Sequence, residues 1–230
     1  MEKTRYILWG LLLVVLTACG SSLATTIGPS DDVIGVSGDP DTNYGKEPWG
    51  DERPYLYAGH NDSVKYAVIR SFMKFSGISV PAGQYVESAT LYLWAGYEDA
   101  SAQVNVAVGA DDSWSEDTLT WNTQPAALQY GGSDVVIGSF TPTTQFGSVT
   151  GYTAISLDVS NPTLLSQLLS DEMITFILKL NDETTAFASE QFDSKAGGHA
   201  PYLEYTVVPE PTTLGLLAAG GLLGMFRKRK

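Results

Sequence analysis

Residues 86–95 read Val86-Glu-Ser-Ala-Thr-Leu-Tyr-Leu-Trp-Ala95, and from Ala89 onward they alternate between two kinds of side chain. Every second residue of an extended chain lies on the same side, so the stretch has an aliphatic side and a polar and aromatic side. The two sets are Ala89, Leu91, Leu93 and Ala95 on one side, and Thr90, Tyr92 and Trp94 on the other. This period of two predicts a β-strand with one face in a core.

The same period recurs along the chain in residues 66–75, 103–108, 153–159, 173–180 and 202–207. Clusters of Gly, Pro, Asn and Asp separate these runs, as expected for turns. One helix is predicted at residues 162–169, where Asn161 precedes Pro162, a residue favoured in the first helical turn. Many short strands without alternating helices are typical of two packed antiparallel sheets. We therefore predict an all-β antiparallel sandwich with jelly-roll topology, flanked by an N-terminal signal segment and a C-terminal hydrophobic helix.

The first 24 residues have the layout of a secretory signal peptide. A short basic start precedes an apolar run from Tyr6 to Leu16, which is too short to span a membrane. Two cleavage sites remain open. Leu16-Thr-Ala-Cys19 resembles a lipobox, in which Cys19 would carry the lipid, whereas Ser22-Leu-Ala24 has the small residues of an ordinary signal peptidase site. Because the chain has only one cysteine, no intramolecular disulfide can form.

Residues 208–230 combine three features at the other end of the chain. They begin Val208-Pro209-Glu210-Pro211, continue with the apolar stretch 214–226, and end in Arg227-Lys-Arg-Lys230. This pattern resembles the PEP-CTERM sorting signal, and the resemblance implies processing by an exosortase-type enzyme near the Pro-Glu-Pro tripeptide. The basic end favours the cytoplasmic side of a membrane. Transient or permanent tethering of the protein to the membrane through its terminal segments is expected, and the sequence leaves both open.

The charge and the motif content exclude several functions. The formal net charge is −13, and the terminal segments hold six of the 13 basic residues, so the part between them is more acidic still. Such a chain lacks the basic surface that binds nucleic acid. His60 and His199 are the only histidines, neither belongs to a zinc-like motif, and no serine lies in a Gly-x-Ser-x-Gly elbow. We expect a protein that is not an enzyme.

Four segments between residues 25 and 207 carry a second resemblance. They are Asp39-Pro-Asp-Thr-Asn-Tyr-Gly45, residues 70–93, Ser113-Trp-Ser-Glu-Asp-Thr-Leu-Thr-Trp-Asn-Thr-Gln-Pro125, and Phe187-Ala-Ser-Glu190 with Ala200-Pro-Tyr-Leu-Glu-Tyr205. Together they resemble the DNRLRE domain, a jelly-roll family related to carbohydrate-binding modules. Trp114 and Trp121 have a structural reading as anchors that pin a long loop to the sandwich, and the alternative is contact with a ligand.

Exposed aromatic and planar polar groups are what sugar binding needs. Two candidate clusters are Tyr92 and Trp94 with Arg70 on an expected neighbouring strand, and Trp49, Tyr55 and Tyr57 in a long polar loop. The alternative is that loops cover these rings and make them part of the core.

A structural calcium ion is the one cofactor that the sequence suggests. Calcium takes six to eight oxygen ligands, often from Asp and Asn. The candidate ligands are Asp31, Asp32, Asp39, Asp41 and Asn43, and the resemblance to sugar-binding modules implies an ion near the domain ends. The alternative is an Asx-rich turn without an ion.

The sequence thus favours an exported, non-catalytic surface or matrix protein that binds or organises extracellular polysaccharide. A purely structural envelope protein is the first alternative, and a small polysaccharide-processing enzyme is the second.

Overall fold

The computed structural model describes residues 22–45, 55–61, 67–99, 103–109, 111–124, 135–142, 145–147, 151–170, 172–184 and 188–210. The strands within these ranges are β1 (Leu23–Ile27), β2 (Pro29–Val36), β3 (Tyr55–His60), β4 (Val68–Ser76), β5 (Gln84–Asp99), β6 (Val104–Val108), β7 (Val135–Phe140), β8 (Gln145–Gly147), β9 (Tyr152–Ser156), β10 (Met173–Leu180), β11 (Ser189–Asp193) and β12 (Tyr202–Pro209). One helix, α1 (Pro162–Ser170), precedes β10.

The strands form two layers that share strand β5. The first layer has the order β1-β12-β5-β9, and the second layer has the order β11-β3-β4-β10-β6-β7 with β2 added to β4. Every described pairing is antiparallel. Strand β5 pairs with β12 through residues 84–92 and with β11 further on, so the sheet curls continuously from one layer into the other. This confirms the predicted all-β antiparallel sandwich, in a jelly-roll-like form.

The far edges of the curled sheet approach each other at β7 and β9. The Asp158 amide donates to the Ile137 carbonyl at 2.6 Å, just beyond the end of β9. A Cβ atom on Gly138 would lie 3.1 Å from the Ser156 carbonyl oxygen, so only glycine allows this close approach. The result is a half-barrel with a single interior.

The interior core is built from the aliphatic faces that the alternation predicted. Ala89, Leu91, Leu93 and Ala95 of β5 are all buried, and they face core residues of the second layer such as Phe75 and Phe176, whose ring centroids are 5.5 Å apart. The helix begins as predicted, because the Asn161 side-chain oxygen accepts the Thr163 amide at 3.0 Å.

A second, smaller core lies on the outer face of the second layer. It consists of Val33, Phe72, Ala107, Trp114, Leu119 and Ile177. Trp114 and Leu119 come from the loop of residues 111–124, which covers this face, and β4 is therefore buried on both sides. The outer face of the first layer is different, because its side chains are partly or fully exposed.

Candidate functional site

The outer face of the first layer gathers the aromatic side chains that alternate with the core residues of three strands. The set, which we call the aromatic face, is Tyr92 and Trp94 of β5, Tyr152 of β9, Tyr202 of β12, and His199 of the loop before β12. Register explains the grouping, since Tyr202 pairs with Tyr92 and Tyr152 pairs with Trp94. Cross-strand partners point to the same side of a sheet, so one period of two on each strand brings all four rings together.

The rings of the aromatic face contact one another in two stacks joined by Tyr152. Tyr92 and Tyr202 stack with centroids 4.5 Å apart and planes 11° apart, and Trp94 and His199 stack at 3.6 Å and 8°. Tyr152 meets Trp94 edge to face at 5.4 Å and Tyr202 at 5.0 Å. These contacts order each ring before a ligand arrives, which reduces the entropy that binding would cost.

His199 is held in place by Asp193, the last residue of β11. Its Nδ1 lies 3.0 Å from the Asp193 Oδ2 atom, and its backbone amide donates to the same oxygen at 3.1 Å. A Cβ atom on Gly197 would lie 3.0 Å from the Asp193 Cβ, so the loop folds tightly around this carboxylate. The imidazole is thereby fixed against Trp94.

Tyr152 is the most accessible of the four strand aromatics, at 40% exposure. Its hydroxyl donates to the Ala200 carbonyl at 3.2 Å, which ties the ring to the loop before β12. Partial burial among the rings, helped by Tyr92, Tyr152 and Glu204, raises the pKa of the Tyr202 hydroxyl, which therefore stays protonated and able to donate. The surface offers apolar ring area beside hydroxyl and imidazole groups, the combination that stacks on sugars and binds their hydroxyls.

The structure brings together only part of the predicted sugar site. Tyr92 and Trp94 share the aromatic face as predicted. Tyr55 and Tyr57 were predicted in a loop, but they lie in strand β3 of the second layer, with centroids 6.3 Å apart. Tyr57 packs partly against the core, and this burial raises the pKa of its hydroxyl. Trp49 lies outside the described residues.

Arg70 is not beside Tyr92 and Trp94, and the expectation that it neighbours them is wrong. It lies on β4 in the second layer, under the loop of residues 111–124, with 1% of its surface exposed. Its guanidinium binds the Glu183 carboxylate through two hydrogen bonds of 2.7 and 2.8 Å and lies 5.6 Å from the Trp121 ring centroid. A buried bidentate pair of this kind ties β4 to the turn that follows β10 and does not meet solvent.

Three of the predicted calcium ligands instead tie residues 37–45 together and to the loop of residues 111–124. Asp39 accepts the hydroxyls of Thr42 and Tyr44, each at 2.8 Å. Asp41 accepts the Asn122 amide at 2.8 Å, and the Asn43 amide donates to the carbonyls of Glu116 and Leu119. These side chains make turn and loop contacts of the Asx type.

The other two predicted ligands, Asp31 and Asp32, lie upstream in strand β2. Asp31 lies 3.8 Å from the Lys74 ammonium. Asp32 is buried and accepts the Lys195 backbone amide, while Glu116 forms an ion pair with the Lys195 side chain nearby. Within the described part of the chain, no three His, Cys, Asp or Glu side chains gather closely enough to hold a metal ion.

Burial raises the pKa of Asp32 from 3.8 to about 6, helped by the Glu116 and Asp31 charges and opposed by Lys195. The folded chain therefore binds a proton that the unfolded chain has released between pH 4 and pH 6, so Asp32 makes folding less favourable as the pH rises through this window. We expect Asp32→Asn to raise the free energy of unfolding relative to the natural chain by about 2–3 kcal/mol more at pH 7 than at pH 4. Urea unfolding of both proteins at four pH values measures this difference. A constant difference across the range contradicts it.

Trp114 has the buried position that the structural reading of residues 113–125 predicted. Its indole Nε1 donates to the Thr175 hydroxyl at 2.9 Å, and its ring meets Phe72 edge to face at 6.3 Å. The Lys74 ammonium lies 4.7 Å from its ring centroid and donates to its carbonyl oxygen. Trp121 is only partly buried.

The sorting motif begins inside the last strand. Val208 and Pro209 pair with Tyr85 and Gln84, and the Glu210 amide donates to the Gly83 carbonyl at 2.9 Å. Pro211, the apolar stretch 214–226, the signal residues 1–21 and Cys19 lie outside the described residues. In the described part, no helix has both the length and the apolar character needed to cross a membrane.

Sequence reasoning missed Tyr152, His199 and Tyr202 as members of the aromatic face. The alternation in 202–207 does place Tyr202 opposite the core residues, but strand pairing was needed to bring it beside Tyr92. His199 was considered only as a catalytic or zinc-binding residue, and no local pattern marks its contact with Trp94.

A curled antiparallel sandwich with an exposed aromatic face places this protein in the general class of β-sandwich modules. Residues 24–207, most of the chain, match the model of carbohydrate-binding module family 96, and the chain therefore belongs to that family. Residues 207–230 match the PEP-CTERM protein-sorting motif, which implies export to the cell surface and processing by an exosortase. Both matches confirm the resemblances found in the sequence.

No curated protein sequence matches the chain. The crystal structure of the K1 cleaved adhesin domain of Lys-gingipain from Porphyromonas gingivalis W83 aligns over 83% of this chain and 99% of that domain, at 8% identity and a TM-score of 0.23. A TM-score this low carries no argument about fold or function.

Proposed function

We propose that this protein is a non-catalytic surface protein whose aromatic face binds extracellular polysaccharide. The family supports carbohydrate binding, and the sorting motif supports export. The aromatic face is the observation that supports a polysaccharide-binding site at this position. Tyr152 presents an accessible ring, Trp94 and Tyr202 support it from two sides, and His199 and the tyrosine hydroxyls offer hydrogen bonds. A sugar ring laid against Tyr152 meets apolar carbon and polar groups within one patch.

A binding measurement on a panel of neutral and acidic exopolysaccharides tests this proposal. The full chain is used in a detergent without a sugar headgroup, because a glycoside detergent would compete. We expect saturable binding that Tyr152→Ala and Trp94→Ala each weaken about tenfold or more, which corresponds to about 1.4 kcal/mol of lost contact. Affinity electrophoresis in gels containing each polysaccharide gives the dissociation constants.

Tyr85 provides a matched control for these variants. It is a tyrosine with 40% exposure on the same strand as Tyr92 and Trp94, but it lies at the other end of the layer. Tyr85→Ala should bind like the natural chain. Binding that is absent from the whole panel, or that falls equally in Tyr85→Ala and Tyr152→Ala, rules out the aromatic face and favours a purely structural matrix protein.

A structural calcium ion remains part of the proposal, with Asp31, Asp32, Asp39, Asp41 and Asn43 as its sequence-predicted ligands. The binding measurement is repeated in calcium and in a chelator, and the melting temperature of the chain is measured in both conditions. A melting temperature that is equal in both conditions removes calcium from the proposal, because an ion that binds only the folded chain must stabilise it.

A further inference from the structure

Both described ends of the chain lie at one end of the first layer. The first strand begins at Leu23, which pairs with Val207, and the last strand ends at Pro209, which pairs with Gln84. Measured along the strands, the point where the chain enters the sandwich and the point where it leaves are therefore about two residues apart. Strands rise about 3.3 Å per residue, so the two ends differ by less than 10 Å along the sheet.

The apolar terminal segments follow this end of the sandwich at short distances in sequence. Four residues, 210–213, separate Pro209 from the apolar stretch that begins at Leu214. Even when fully extended, four residues reach only about 14 Å. If residues 214–226 enter a bilayer, this end of the domain lies at its surface.

Exposed apolar side chains gather at this same end. Leu23 is 60% exposed and Tyr85 is 40% exposed on the two strands that flank β12. Leu169, near the end of α1, is 54% exposed, and Met173, the first residue of β10, is 38% exposed. We call these four residues the chain-end rim. The loop of residues 77–83 joins its two halves, since the Ile78 amide donates to Glu172 and the Gly83 carbonyl accepts from Glu210.

The aromatic face lies at the opposite end of the layer. Tyr202 is seven residues before Pro209 on β12, which is about 23 Å along the strand. Trp94 lies two residues beyond Tyr92 along β5, so Trp94 and its partner Tyr152 are further from the chain ends than Tyr92 and Tyr202. The rim and the aromatic face are thus separated along the full length of the first layer.

We propose that the chain-end rim is a membrane-contact surface, which rests on the lipid bilayer while the C-terminal apolar segment is attached. Exposed Leu, Met and Tyr side chains suit the boundary between headgroups and acyl chains. Glu172 and Glu210 at this end disfavour anionic lipid, so the fitting surface is zwitterionic. The contact is local and weak. The attached apolar segment keeps the rim close to the bilayer and so gives the rim a high effective concentration at the lipid surface.

Depth-dependent quenching in vesicles tests this contact. The full chain with Cys19→Ser, which leaves no other thiol, receives a single fluorescent label through Tyr85→Cys, Met173→Cys, Val136→Cys or Tyr152→Cys. It is added to phosphatidylethanolamine–phosphatidylcholine vesicles containing brominated lipid. We expect at least twofold quenching at positions 85 and 173 and none at 152, which lies at the far end of the first layer. Position 136 lies level with Ile177, four residues along β10 from Met173, and should be quenched less than either rim position.

The proposal is overturned by equal quenching at all four positions, by quenching confined to position 152, or by a chain that does not float with the vesicles in a density gradient. If a second copy of the chain covers the rim, the rim labels are not quenched by brominated lipid and light scattering shows a dimer. This result also overturns the proposal. Sugar binding plays no part in the readout, so this result and the glycan result stand independently.

Discussion

Trp114→Ala is expected to lower the melting temperature by about 10 °C or more. The substitution empties the centre of the outer core and removes the donor to Thr175, and losses of about 3–5 kcal/mol are usual for a buried tryptophan. In a domain of this size each kcal/mol corresponds to about 2–4 °C. Differential scanning calorimetry of the natural chain and the variant measures the shift directly.

Two further variants separate the causes of that loss. Trp114→Phe keeps one aromatic ring at the site while removing the indole hydrogen bond and part of the ring volume, so a smaller loss than that of Trp114→Ala is expected. Trp121→Ala removes a ring that is only partly buried, and its effect should also be smaller. A Trp114→Ala protein that melts within 2 °C of the natural chain would mean that the loop of residues 111–124 contributes little to stability.

Arg70→Met is expected to cost about 3–5 kcal/mol, because it leaves the Glu183 carboxylate with 10% exposure and without its bidentate partner. The double variant Arg70→Met/Glu183→Gln should recover part of the loss, since the unpaired charge is gone. Denaturant unfolding of the natural chain, both single variants and the double variant gives the coupling energy of the pair. A double variant that is as unstable as Arg70→Met alone would show that the loss comes from packing rather than from the stranded charge.

The fold was largely predictable because apolar and polar side chains alternate along a strand when one of its faces lies in the core and the other faces solvent or a covering loop. Strands β4, β5, β6, β9, β10 and β12 fall on the predicted runs. Strand β2 was missed because Asp31 and Asp32 interrupt the apolar pattern, and their partners, Lys74 of β4 and the Lys195 amide, are far away in sequence. Strand β3 was missed because Tyr55 and Tyr57 were assigned to a long polar loop.

The aromatic face was half predictable for a related reason. Alternation along β5 places Tyr92 and Trp94 on one side of a strand, which is a local property. It does not state which strands flank β5, so Tyr152 and Tyr202 could not be added and Arg70 was added wrongly. Strand order depends on contacts between residues far apart in sequence, such as Tyr92 with Tyr202. The pattern of a single segment carries no information about them.

The place of β12 in the sheet has a consequence for the order of events during export. This strand lies between β1 and β5, so the last strand of the chain fills the middle of the first layer. A chain crossing the membrane from its N-terminus cannot complete that layer until residue 209 has emerged, and until then β1 and β5 have open edges able to pair with other chains. The apolar stretch arrives only four residues later. Completion of the sandwich therefore waits for residues that adjoin the sorting motif, and a chain truncated before residue 202 would lose both the closing strand and the motif.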